Sequence, residues 1–335
     1  MLEKIKQVRP LDATIVLVAV VLLAVTAYLG YSVWSQNRAT RASAPISRAV
    51  SELQAMIKKN PKSVDLRLQL AQAYSASGMG DEAVAQYQAV LKLQKTNVTA
   101  LTGLGFVTAQ RKDWATSENY WRKAIEILDK QQNNKATKQY ETANFYLANT
   151  LLEQKKYEDA VGYFKAALRV NRTASDTHFL LAQAYKGLGA NDQYKEELAY
   201  AIAFEPLMAQ ANYEYGVVLL AEKDEAGAAQ HLRIATDAAP ERKEPAEALA
   251  KLGTFSDRMA TARRLEKSNP EQALTEVRVA VALKPKDVDG LMLLARLYAA
   301  TGDKTAAADT YQSILDIQPD NAAAKAALDR INDDK

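Results

Sequence analysis

The 335-residue chain has no cysteine and only two histidines. Without cysteine there is no disulfide scaffold, no thiolate zinc site and no thiol nucleophile. No HExxH, no GxSxG and no phosphate-cradling glycine loop occurs. His178 falls near the start of one helix and His231 beside Leu232 on the face of another, so both read as structural side chains. No catalytic residue, metal ligand or cofactor-binding residue is expected. A charge excess is also missing from most of the chain. The formal charge is +3, and residues 1–45 account for all of it, with Lys4, Lys6, Arg9, Arg38 and Arg41 against Glu3 and Asp12. The remainder is balanced, which argues against nucleic acid as a partner, because counterion release needs clustered cations.

One long apolar run is present. Residues 13–34, ATIVLVAVVLLAVTAYLGYSVW, carry no charge. Crossing a bilayer as a helix takes roughly 20 such residues. Tyr28, Tyr31 and Trp34 cluster at the C-terminal end, where aromatic rings settle at the headgroup level. The expectation is an N-terminal tail over 1–12, a transmembrane signal anchor over 13–36 and a linker over 37–45. A cleaved signal peptide is the rival, since Ala42-Ser43-Ala44 has the A-x-A form of a cleavage site. The apolar run, however, exceeds the 7–15 residues of a signal h-region. Three cations in the short N-terminal tail favour a cytoplasmic N-terminus and an exported C-terminal domain.

The rest repeats itself every 34 residues. From Val64, Leu70-Ala71 and Tyr74 form one helix face, and Ala83, Tyr87 and Val90 form a second, with Gly78 between. The same signals return as Leu104-Gly105 with Ser117, Trp121 and Ala124; as Leu147-Ala148 and Leu151 with Ala160, Phe164 and Ala167; and as Leu181-Ala182 and Tyr185 with Tyr194, Leu198 and Ala201. They recur again around Tyr215-Gly216, Ala273 and Leu294-Ala295. Leu, a small residue and then Tyr at i, i+1 and i+4 place an apolar stripe with a notch on the first helix. Small residues at Ala83, Ala160, Ala228 and Ala307 let the second helix approach that notch. Pro206, Pro240, Pro285 and Pro319 stop the second helices.

This pattern resembles the tetratricopeptide repeat, a 34-residue helix–turn–helix. The resemblance implies an all-α fold, a right-handed α-solenoid of about seven such repeats, behind one transmembrane helix. The copies span 64–97, 98–131, 141–174, 175–208, 209–242, 254–287 and 288–321, an array over 64–321. The sixth is the weakest, with Ala260-Thr261 and Arg264 where the stripe belongs. The family tryptophan early in the first helix is absent, and Leu101 and Leu291 are the nearest substitutes. Residues 132–140 and 243–253 break the period; the first extends a helix or forms a loop, the second adds a helical turn or two. Residues 46–61 read as an N-terminal capping helix using Ala49, Leu53 and Met56, and residues 322–335 as a C-terminal one.

In such arrays the first helices line a concave groove that takes extended or helical peptides. The matching places here hold Phe145 and Asn149, Phe179 and Gln183, and Tyr213 and Val217, with Phe106 and Met292 outside them. The rings offer contact area and the amides offer hydrogen bonds to a peptide backbone; packing of the rings between helices is the alternative. The layout resembles that of bacterial inner-membrane scaffolds in cytochrome c maturation, pilus or secretion assembly and translocon-associated chaperoning. It implies a non-catalytic scaffold that binds a partner protein or peptide. The other reading is a stoichiometric subunit of an envelope machine or filament that binds through its convex or end surfaces.

Overall fold

The computed structural model describes residues 48–130 and 137–333. The tail, the expected anchor with Tyr28, Tyr31 and Trp34, and the linker lie outside the described residues. Among the described residues no helix is long and apolar enough to cross a membrane. They form helices and no strand. The chain divides into two compact units on either side of Lys130.

The first unit contains α1 (48–59), α2 (Val64–Ala76), α3 (Gly80–Leu93), α4 (Val98–Gln110) and α5 (Trp114–Asp129). The expected stripe residues form its core: Leu70, Ala71, Tyr74, Ala83, Tyr87, Val90 and Leu104 are buried together. Helix α1 packs here with a different face from the expected one. Val50, Leu53 and Ile57 meet the core, whereas Ala49 and Met56 are exposed. Gly105 supplies the notch of the second copy. A Cβ there would stand 2.6 Å from Cε2 of the Trp121 indole, so the bare backbone is what lets α5 lie against α4.

The second unit runs α6 (Lys138–Glu153), α7 (Tyr157–Val170), α8 (Ser175–Leu188), α9 (Asn191–Phe204), α10 (Ala209–Ala221), α11 (Glu225–Ala238), α12 (Lys243–Ala250), α13 (Phe255–Leu265), α14 (Pro270–Leu283), α15 (Val288–Ala300), α16 (Lys304–Ile317) and α17 (Ala322–Asp333). The first insertion lengthens α6. Thr137 caps it by accepting from Tyr140 N at 3.2 Å, so the helix begins before residue 141. The second insertion forms α12, whose Ala248 packs on α11 together with Leu252 just beyond the helix. Helix α17 closes the unit with Ala324 and Ile331 buried against α15 and α16.

The turn between the paired helices needs one left-handed residue in most copies. Glycine holds that place at Gly78, Gly189 and Gly302; lysine holds it at Lys112, Lys155 and Lys223, with φ near 60°. The sixth copy has no such residue. Its first helix starts at Phe255, not 254, and buries Met259 and Ala262, while Ala260 is exposed. Its two helix starts, Phe255 and Pro270, lie one residue closer together than Val64 and Gly80 of α2 and α3, which is why the strict 34-residue register placed Ala260-Thr261 and Arg264 on the stripe.

The absent tryptophan has a polar replacement. Four side chains in the fourth place of a first helix donate to the carbonyl six residues earlier. Arg67 Nη2 bonds Pro61 O at 2.7 Å, His178 Nε2 bonds Arg172 O at 3.0 Å, Asn212 Nδ2 bonds Pro206 O at 2.9 Å, and Arg258 Nε bonds Leu252 O at 2.8 Å. Each also reaches the second helix of its own copy. Arg67 pairs with Gln86, His178 with Glu197, Asn212 with His231 and Arg258 with Glu276. The loop entering the copy and its second helix are thus tied to one side chain. His178 and Asn212 are buried and have both of their hydrogen-bonding ends satisfied, as burial requires, while Arg67 and Arg258 are half-buried.

Candidate functional site

The first helices of the third to fifth copies carry the expected ring row within the second unit. Phe145, Phe179 and Tyr213 are each half-buried, so each ring gives part of its surface to packing and keeps part exposed. Phe145 meets the buried Phe164 edge-on, with centroids 6.2 Å apart. Its other side lines a cleft of about 420 Å³ with Thr142, Tyr146 and the start of α8. Tyr213 rests against the Leu219–Leu232 cluster, and the Arg242 guanidinium lies 6.0 Å above its ring. Val217 is 42% exposed. Met292 packs half-buried on the last core cluster. Phe106 belongs to the first unit, where it is exposed.

The two amides differ. Asn149 is half-buried with no hydrogen-bond partner among the described residues, so its amide is available to a ligand. Gln183 is engaged: its Nε2 donates to Glu214 Oε2 at 3.0 Å. The same oxygen accepts from Lys186 Nζ at 3.1 Å and from Tyr194 Oη at 2.6 Å. Glu214 therefore joins α8, α9 and α10. Burial and the adjacent Glu214 carboxylate together push the Tyr194 hydroxyl far above the ordinary tyrosine range, so it remains a donor. Sequence reasoning missed this carboxylate. The available signal was an acid in a place that other copies fill with Tyr146, Leu180 and Leu293.

The two histidine pKa values shift in opposite directions. Both ring nitrogens of His178 face acceptors, the Glu197 carboxylate at 2.6 Å and the Arg172 carbonyl at 3.0 Å. Burial pulls its pKa down. The hydrogen bonds to Glu197 and Arg172 and the Glu197 charge outweigh burial, and the pKa lies above its usual value. His231 is different. Asn212 spends its amide N–H groups on Pro206 O and Met208 O, so its oxygen accepts from His231 Nδ1. Burial holds His231 below its usual pKa, against a smaller opposing pull from Asp224. Both rings are structural ties. Among the described residues no group of three or more His, Cys, Asp or Glu is arranged to hold a metal.

Family profiles described as tetratricopeptide repeat match residues 46–104, 145–192, 188–243 and 263–322. The RNA polymerase-associated protein CTR9 of Caenorhabditis elegans is 26% identical over 142 residues, 42% of this chain. That match spans 12% of the length of CTR9. Among solved structures, YrrB, described as a TPR protein with an unusual peptide-binding site, is 20% identical, with 58% of this chain and 96% of that chain covered and a TM-score of 0.49. MamA from Desulfovibrio magneticus RS-1 is 17% identical, covering 53% of this chain and 96% of that one at a TM-score of 0.47. PilF of Pseudomonas aeruginosa is 15% identical, covering 81% and 97% at 0.44. The profile matches fall in both units, take in well over half of the residues and coincide with the paired helices, so the chain belongs to the tetratricopeptide-repeat family.

Proposed function

We propose that this chain is a non-catalytic scaffold, held at a bacterial inner membrane by residues 13–36, that recruits a partner protein or peptide during assembly of an envelope complex. Cytochrome c maturation, pilus or secretion assembly and translocon-associated chaperoning are the candidate settings, with the repeats outside the cytoplasm. The observation that carries the binding role is the row of Phe145, Phe179 and Tyr213. These rings hold one place in three successive copies, and all three stay half-buried rather than sinking into the core. Asn149 adds an amide with no described partner beside the first ring. Aromatic anchors in an interface typically cost about 2 kcal/mol or more when truncated. Changing all three rings to alanine should abolish partner capture from detergent-solubilised membranes while leaving helicity intact. Full capture by a well-folded triple variant would refute the groove.

A structural-subunit role is the second reading. It is favoured by Tyr200, Phe204 and Leu207, which present apolar surface along and just beyond α9, with Leu207 72% exposed.

A further inference from the structure

The second unit has one change of packing that the repeat pattern does not contain. Elsewhere in it a second helix packs on the first helix of the next copy, α7 on α8, α9 on α10 and α14 on α15. After the inserted α12, however, α11 packs along both α12 and α14. Arg233 Nε on α11 donates to Ala282 O on α14 at 3.2 Å and pins that contact. A cleft of about 520 Å³ opens between α11, α14 and α15. This volume is in the range of pockets that take several ligand groups.

The chemistry of the cleft has two parts. Val281, Pro285, Leu294 and Tyr298 give it an apolar side. Arg233 and Arg278 give it two cations. Arg233 is held in place by the Ala282 carbonyl and by Asp237 at 2.8 Å. Arg278 is exposed and has no ion-pair or hydrogen-bond partner among the described residues. The residues three and four away along its helix are Leu274, Thr275, Val281 and Ala282, none of them acidic. Asp224, the acid of the lining, turns its carboxylate to the start of α11 and accepts from Gly227 N at 3.0 Å.

We propose that this cleft docks a segment of a partner protein in which a carboxylate side chain is flanked by apolar ones. The carboxylate meets Arg278, with Arg233 beside it, and the apolar neighbours lie on Val281, Pro285, Leu294 and Tyr298. A planar guanidinium without a partner is suited to two parallel hydrogen bonds to a carboxylate. The site is separate from the aromatic row of the proposed groove and stands or falls independently of it.

The test uses the full chain in detergent and three short labelled peptides of alternating Leu with Glu, with Lys or with Ser. Fluorescence polarisation should show binding of the Leu/Glu peptide over the other two, weakening with added salt. Arg278→Glu should weaken that binding at least about tenfold and Arg278→Lys much less. Arg278→Glu alters an exposed side chain, so the melting temperature should not move. Gln230→Trp, a bulky group on the cleft lining, should also weaken binding. Equal binding of the Glu and Lys peptides, no binding of the Glu peptide, or binding indifferent to Arg278→Glu would overturn the proposal. So would loss of binding in the Phe145, Phe179 and Tyr213 alanine variant alone, which would assign the peptide to the groove. A concentration-dependent oligomer of the unliganded chain that Arg278→Glu dissolves would make the occupant a second copy and would equally overturn it.

Discussion

Arg258 and Glu276 are joined at 2.9 Å across eighteen residues, and His178 and Glu197 make the equivalent tie across nineteen. Arg67 with Gln86 and Asn212 with His231 also span nineteen. The single missing residue falls between the buried Ala262 and Ala273, which are eleven residues apart where Ala71 and Ala83 are twelve apart. The brace therefore survives a deletion that shifts the repeat register, because both of its ends belong to the same copy.

Removing Arg258 should test the brace. It holds Leu252 O, Glu276 and Glu225, the last at 2.7 Å. Arg258→Ala leaves a carbonyl and a largely buried carboxylate without their donor, and is expected to cost about 1–3 kcal/mol in denaturant unfolding. A double-mutant cycle with Glu276→Ala should show coupling between the two positions. Additivity would mean the contact contributes nothing.

The His178 tie makes stability depend on pH. Its folded pKa is raised, so its contribution is fully present below the unfolded value of about 6.5 and is lost as pH rises through the folded value. Unfolding midpoints should fall across that window. His178→Gln should flatten the profile there while leaving the acid side less stable than wild type. An unchanged profile in His178→Gln would show that other groups carry the dependence.

Two glycines should respond in opposite directions to alanine. At Gly105 the new Cβ meets the buried Trp121 ring at 2.6 Å, and overpacking of this kind costs about 1–3 kcal/mol. Gly162 is exposed in α7, with nothing within 4 Å of a Cβ, and there alanine should stabilise by about 0.5–1 kcal/mol. Thermal unfolding of the two variants against wild type decides both.

Lys155 occupies a left-handed turn with φ 60°. An L-residue pays about 1–2 kcal/mol for that conformation, and glycine returns part of it as extra freedom in the unfolded chain. Lys155→Gly should raise the unfolding midpoint slightly, and Gly189→Ala should lower it. Lys155→Gly with a lowered midpoint would show that the lysine side chain contributes more than the turn costs.

The helix pairs were legible in the sequence because each one is encoded locally. A small residue, such as Ala71 or Gly105, must sit twelve residues before another, such as Ala83 or Ser117, for two helices to close on each other. That spacing recurs whatever the neighbouring copies do, so composition and period determined the helical class, the family resemblance and the core residues. The exposed face of α1 was misread because the period places a helix without deciding which of two adjacent apolar rows, Ala49–Met56 or Val50–Ile57, meets the next copy. The surroundings of the candidate groove residues were only partly legible. Asn149 and Gln183 hold equivalent places, yet one amide has no partner among the described residues and the other is taken up by Glu214. The braces to Arg172, Pro206 and Leu252, the Glu214 junction and the α11–α14 cleft were decided by tertiary structure alone. Each depends on where a turn or an inserted helix carries a second segment, and hydrogen bonds reach only about 3 Å, so a residue's partner is set by that final placement and not by its own type.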